Sequence, residues 1–323
     1  MGSTHAAVYA KVEGARIVAV ADANRALATA LAHDHRARIY DDVDTLLSDP
    51  EVHAVDVCLP TFLHESCVVS AARHGKDVLC EKPLSLTIEQ ADRMIDATER
   101  AGVIAMVGQV VRFWPEYVAI RELLARGELG EARAINALRL SPPPAWGSWF
   151  KDPSLSGGAL IDLHIHDLDF IYSLLGMPDR VFATGLQSPT GAWDQVTSFL
   201  EYEEAHAVAE GSFLMPDGYP FQTLLRLQGS KGTVEYRFRV AGQVGERAEA
   251  ETELVLYRPG VAPSPVAFAK KDPYQAEIEY WVGCLLTRRQ PESATLREAR
   301  DVLGMAMAAR RSIEKGEIVA MTS

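Results

Sequence analysis

Four cysteines are spread over 323 residues, and none stands in a C-x-x-C pair or at zinc-ligand spacing. Cys58, Cys67, Cys80 and Cys284 therefore read as reduced core thiols of a cytosolic protein, not as a disulfide framework. No apolar run approaches the ~18 residues that a membrane-crossing helix needs. The N-terminus lacks the basic-then-apolar pattern of a secretory signal. Basic charge is scarce as well: 32 Lys and Arg against 44 Asp and Glu leave a net charge of −12. That balance disfavours nucleic acid and anionic membrane as partners, since both attract basic patches. There is no internal repeat and no low-complexity tract. What these gaps leave is a cytoplasmic protein with a small-molecule partner.

What is present is ample apolar material, 48% of the chain, over a length that suggests two domains. The first third alternates strand and helix signals. "ARIVAVAD" (Ala15 to Asp22), "AVDVCLP" (Ala54 to Pro60), "KDVLCEKP" and "VIAMVG" read as strands that are apolar throughout. Helices lie between them, from Asn24 to His33, in "DVDTLL", from Phe62 to His74, and from a capping box at Thr87 and Gln90 to Gly102. Apolar strands joined by helices predict a doubly wound parallel α/β sheet over residues 1–115. Residues 116–323 read as an α+β domain. After a helix to about Arg126 and the strand "EARAINALRL", the stretch from Arg180 to Tyr257 predicts a large, mostly antiparallel sheet with one face used for homo-oligomerisation. A Gly- and charge-rich turn is expected at about 241–251, and two helices close the chain, the last capped by Thr295 and Glu298.

Three clusters carry chemistry. Asp22 ends the first strand, where a dinucleotide fold places the acid that accepts from the adenosine ribose; it favours NAD, whereas Arg25 could pair with the extra phosphate of NADP. Glu81, Lys82 and Pro83 follow the carboxyl end of a parallel strand, where this architecture binds ligands. A lysine there can donate to a substrate hydroxyl or, with burial lowering its pKa, move a proton; it can equally be a surface lysine. In "IDLHIHDLD", Asp162 and His166 are four apart and share a helix face, so the carboxylate can set the imidazole tautomer. His164 and Asp167 would complete a metal-ligand set with them, and a helix cap beginning at Gly157 and Gly158 is a third reading.

In this order the clusters resemble the glucose–fructose oxidoreductase and inositol dehydrogenase (Gfo/Idh/MocA) family over essentially the whole chain. Glu81–Lys82–Pro83 matches its E-K-P motif, and Asp162 with His166 its D-x-x-x-H pair. "CLPTFLH", with Pro60 and His64, resembles the loop passing the nicotinamide, and "VGQVVRFWPEY" the segment where Gln109 and Arg112 would face the active site. The resemblance implies hydride transfer between a nicotinamide (NAD, with NADP an alternative) and a hydroxyl-bearing carbon of a sugar, inositol or related polyol. It makes His166 the base, Asp162 its orienting acid and Lys82 the group that polarises the oxygen, with no metal, while Glu81 holds a ribose hydroxyl. Trp146 and Trp149 are either flat surfaces for a sugar ring or anchors of their loop. His164, where relatives have glycine, would add a bulky donor beside the site. Two other readings stand beside this one: a hydrolase or epimerase using tightly bound NAD as a transient oxidant, and a non-catalytic cofactor- or sugar-binding sensor.

Relatives begin with a strand and a G-x-G-x-x-G turn, and "MGSTHA" matches the end of that turn, with Gly2 as its third glycine. A central strand and two glycines thus lie outside the sequence, which predicts unpaired edges on the two neighbouring strands. The expected explanation is a start at an internal methionine, roughly ten residues late, about the length of a short strand and its turn. A chain complete as written, with a gapped sheet, is the alternative.

Overall fold

The computed structural model describes residues 1–144, 147–240 and 250–321. The first elements are α1 (Gly2–Tyr9), β1 (Ala19–Ala21), α2 (Arg25–His35), β2 (Arg38–Tyr40), α3 (Val43–Leu47) and β3 (Ala54–Val57). Next come α4 (His64–Arg73), β4 (Asp77–Glu81), α5 (Ile88–Ala101), β5 (Ala105–Gly108), α6 (Pro115–Ala125) and β6 (Ala132–Leu140). Three helices follow, α7 (Pro153–Ser156), α8 (Gly158–Asp162) and α9 (Ile165–Leu175), and then β7 (Arg180–Gln187), β8 (Trp193–Glu201) and β9 (His206–Ser212). The chain ends with β10 (Phe221–Gly229), β11 (Thr233–Val240), β12 (Ala250–Arg258), β13 (Val261–Pro265), α10 (Pro273–Thr287), α11 (Leu296–Lys315) and β14 (Val319–Ala320). The turn expected at 241–251 lies outside the described residues up to 249, and its last two residues open β12.

Two compact units divide the chain: residues 1–114 with 271–300, and residues 115–270 with 301–323. This corrects the expectation of one continuous C-terminal domain from residue 116. The cause is apolar packing, because Ile278, Trp281, Val282 and Cys284 of α10 share a core with Val8, Val12, Leu79, Ile104 and Met106 of the first unit. Burying side chains of this size stabilises by about 1.5–3 kcal/mol each, which is enough to draw the helix to that core.

In the first unit every strand pair is parallel, and β4 is buried along its whole length. Thr87 and Gln90 form the expected capping box on α5, and Gly102 ends that helix at φ 66°. The sheet is not continuous. It consists of β2–β1 and, separately, β3–β4–β5. β1 is shorter than the sequence run suggested, and three of the four β3 residues are only half-buried, against the expectation of a buried strand. Both departures have one cause: each of these strands is paired along one edge only. They line a single cavity of about 1220 Å³, together with Leu27, Leu31, Val282 and Leu285.

The second unit is built on a nine-stranded sheet in the order β13-β12-β11-β10-β6-β9-β8-β7-β14. All of its pairs are antiparallel except β6–β9. Helices α8 and α9 lie against β6, β8 and β9. One face is buried, through Ile135, Val181, Val196, Ala207, Leu225, Val234 and Leu254 among others. The other face leaves Phe182, Leu186 and Phe199 substantially exposed, with Phe182 and Phe199 directly opposite each other across β7 and β8.

Candidate functional site

In the first unit the parallel strands deliver Asp22, Cys58, Lys82 and Gln109 to one edge, each the residue next to a strand's carboxyl end. Ligands of open α/β sheets bind beyond that edge. Glu81 closes β4 and is 5% exposed. Its Oε2 accepts from the Lys82 backbone N–H at 2.9 Å, and its Oε1 lies 3.1 Å from His5 Nε2. Gly108 makes room for this carboxylate, since a Cβ there would come within 3.3 Å of the Glu81 carboxyl carbon and oxygen. Lys82 is half-buried and joined to Pro83 by a cis peptide bond.

Gln109 is 1% exposed, and its Oε1 has no hydrogen-bond partner among the described residues. A buried carbonyl left unsatisfied costs about 1–3 kcal/mol, so this oxygen suits a ligand that brings an N–H, such as a carboxamide. Asp22 is exposed and accepts from Asn24 N–H at 2.7 Å. With the Glu81 carboxylate, these acceptors match the hydroxyls and the amide of a nicotinamide dinucleotide.

His64 lies against Leu59 O at 2.8 Å and Pro83 O at 2.9 Å, one carbonyl at each ring nitrogen. Burial pushes its pKa down. Its imidazole therefore ties the Pro60 loop to the Lys82–Pro83 turn. Pro60 precedes a short 3₁₀ turn, Thr61–Leu63, and is half-buried. Arg112 is 2% exposed and donates to Glu298 Oε1 at 2.7 Å and Ser293 Oγ at 3.3 Å. Arg25 pairs with Asp41. Gly2 opens α1 beside the cavity, and a Cβ there would sit 3.7 Å from Cys58 Cβ, an ordinary contact that does not itself demand glycine. The residue that the sequence reading missed is His5, which is 1% exposed and lies between Asp56 and Glu81. Its only sequence signal is a histidine on the first helix, three residues after Gly2.

In the second unit, Gly157 and Gly158 both take positive φ, and side chains there would collide with Ile161 and Ala192. The turn lets α8 start with Ala159 N–H bonded to Asp194 Oδ1 at 2.9 Å. Between α8 and α9, Leu163 and His164 keep right-handed helical angles. Two side chains pin this segment to the sheet. His164 is fully buried, with Nε2 2.9 Å from Ser198 Oγ on β8. Asp167 accepts two 2.9 Å bonds from Arg139 on β6. Asp162 closes α8 and His166 lies in the first turn of α9, so both stand on the segment that these anchors hold. Asp162 is buried and His166 half-buried. The metal-ligand reading loses two members, because His164 and Asp167 are engaged by the sheet. His164 is likewise corrected from a donor beside the site to a wall of the core: it packs on Gly211, where a Cβ would lie 3.0 Å from its Nδ1.

Burial lowers the His164 pKa to about 4, from an unfolded value of about 6.5. Between those values the unfolded chain binds the extra proton and the folded chain does not, so stability falls as pH drops through that window. The expected loss is on the order of 2–4 kcal/mol by pH 4. Melting temperatures from pH 7 to 4 should decline less steeply in His164→Asn than in the parent; equal slopes would show that His164 does not carry this term.

Trp146 lies outside the described residues. Trp149 stacks on Phe150 with centroids 4.0 Å apart, which favours the loop-anchor reading.

Residues 1–109 match the model of an oxidoreductase family with an NAD-binding Rossmann fold, and residues 117–235 match a GFO/IDH/MocA C-terminal domain. The chain is 30% identical over 242 residues to inositol 2-dehydrogenase of Rhizobium meliloti, covering 72% of each. It is 38% identical over 178 residues to 2,7-anhydro-N-acetylneuraminate hydratase of Mediterraneibacter gnavus, 54% of this chain and 46% of that protein. The chain spans about half the length of the first curated relatives it matches. A levoglucosan dehydrogenase solved with NADH and levoglucosan has the same fold, with TM-score 0.84 at 21% identity over 100% of this chain and 97% of that one.

Proposed function

Because the chain belongs to the GFO/IDH/MocA oxidoreductase family, we propose that it is an NAD-dependent dehydrogenase of sugars, inositols or related polyols. The observation that supports the reading is the anchoring of the segment 162–167 to the sheet through His164 and Asp167, with Asp162 and His166 four residues apart on it. An acid and an imidazole fixed in this way suit removal of a hydroxyl proton. Bound NAD supplies the acceptor for the hydride leaving the carbinol carbon. In the second unit His166 takes the hydroxyl proton and Asp162 sets the imidazole tautomer that can accept it; in the first unit the role proposed for the Lys82 ammonium is to donate to a substrate oxygen. Glu81 and Asp22 accept from ribose hydroxyls, and the Gln109 amide oxygen receives the carboxamide. Arg112 and Trp149 have no part in it.

Incubation with NAD and a panel of inositols and aldoses tests the proposal: net formation of reduced cofactor with at least one of them is expected. The resemblance to a hydratase favours a second reading, in which NAD is a transient oxidant that is restored in each cycle; product without net reduction would select it. Asp22→Ala should weaken NAD by about tenfold or more, since a hydrogen bond to a charged group contributes roughly 1.5–3 kcal/mol, and should weaken NADP far less. Equal effects on both cofactors would remove Asp22 from the ribose site.

The exposed Phe182–Phe199 strip supports self-association through the nine-stranded sheet, as dimer or tetramer. The four free thiols support a reducing, cytoplasmic setting. No helix among the described residues is long and apolar enough to cross a membrane.

A further inference from the structure

His5 stands at the centre of a buried polar cluster that the reaction above does not use. Nδ1 lies 2.8 Å from Asp56 Oδ2 and 3.6 Å from Cys58 Sγ, and the Cys58 thiol donates to Asp56 Oδ1 at 3.3 Å. On the other side Nε2 is 3.1 Å from Glu81 Oε1, an ion-pair contact not aligned as a hydrogen bond. Tyr274 of α10 packs on the ring with centroids 5.9 Å apart. Burial opposes a charge on this imidazole, but the Asp56 charge, its hydrogen bond and the neighbouring Cys58 and Glu81 outweigh it and raise its pKa well above the ordinary value. The ring lies between two acidic side chains. One of those carboxylates, Asp56, is on β3; the other, Glu81, stands at the strand edge where the cofactor is proposed to bind.

The Glu81 carboxylate is constrained from three directions. The Lys82 backbone N–H fixes Oε2, Gly108 lies against its carboxyl carbon, and His5 faces Oε1. The first two constraints come from the polypeptide backbone, which no side-chain change in the cluster disturbs. The third comes from a side chain, His5, which is basic where Glu81 is acidic. A carboxylate has about four acceptor positions, so these contacts leave capacity for a ribose hydroxyl. We propose that His5 is a positioning residue for cofactor binding, holding the Glu81 carboxylate in the orientation that accepts the ribose hydroxyls; this rests on the role given to Glu81 above. Without His5, Oε1 would lose the ring that faces it, and the Glu81 carboxyl group would turn away from the orientation that the cofactor needs.

A double-mutant cycle on cofactor binding separates this role from plain structural support. NAD dissociation constants of the full chain would be measured by calorimetry for the parent, His5→Ala, Glu81→Gln and the double variant, with melting temperatures alongside. The expected result is roughly tenfold weaker binding in His5→Ala but less than about a twofold further loss when His5→Ala is added to Glu81→Gln, because contacting residues couple and independent ones add. His5→Gln, whose amide nitrogen can overlay Nε2, should bind NAD within about threefold of the parent, whereas His5→Asn, which overlays Nδ1 and reaches only Asp56, should not. If His5→Ala fails to fold, His5→Asn takes its place in the cycle. Additive losses would overturn the inference while leaving Glu81 in its role. An unchanged dissociation constant in Glu81→Gln would overturn the role of Glu81 itself, and the inference with it.

Discussion

Replacing His166 with alanine should lower kcat by a factor of roughly 10²–10⁴, the usual contribution of a positioned general base. The NAD dissociation constant should stay within about threefold of the parent, because no cofactor contact is assigned to this side chain. The reasoning starts from the segment around it. His164 and Asp167 lock that segment to β8 and β6, and neither anchor changes in the variant. The substitution therefore removes an imidazole from a backbone that stays in place. Asp162→Asn should show a smaller fall, since it disturbs the tautomer without deleting the base. Steady-state rates at saturating NAD, with binding measured separately, check both variants. A His166→Ala protein with kcat within about fivefold of the parent would remove the base from the mechanism.

Lys82→Ala has the second large effect. An ammonium that donates to the substrate oxygen stabilises the alkoxide as the proton leaves, and losing one donor to a developing oxyanion costs about 10²–10³ in kcat. NAD binding should change little, because the contact of this residue with Glu81 is made by its backbone N–H, which alanine retains. Steady-state rates at saturating NAD check the variant; a kcat within about fivefold of the parent would remove Lys82 from the mechanism.

The parallel sheet, its helices and the antiparallel sheet were legible because each rests on a local signal: apolar runs, capping residues and alternating strands. Thr87 with Gln90 and the αL Gly102 are examples in which side chain and backbone conformation are fixed within a few residues. The return of residues 271–300 to the first unit was not legible, since it depends on the partners that Ile278 and Trp281 find far away in the chain. The length of β1 and the half-burial of β3 needed the structure, since they depend on which strand edges find a partner. At the site, the motifs singled out Glu81, Lys82, Asp162 and His166 by local pattern. The partners of Arg112, His64 and His164 were not legible, because Glu298, two backbone carbonyls and Ser198 are brought to them only by the fold. His5 escaped notice for the same reason, because Asp56 and Glu81 are brought to it only by the fold.

Isotope transfer tests the central claim most directly. A polyol that supports turnover would be prepared with deuterium on its carbinol carbon and incubated with NAD, and the reduced cofactor analysed by mass spectrometry. Dehydrogenation by direct hydride transfer predicts one deuteron in each reduced nicotinamide. Turnover that leaves the deuterium in the product or releases it to water, with no labelled reduced cofactor accumulating, would contradict it.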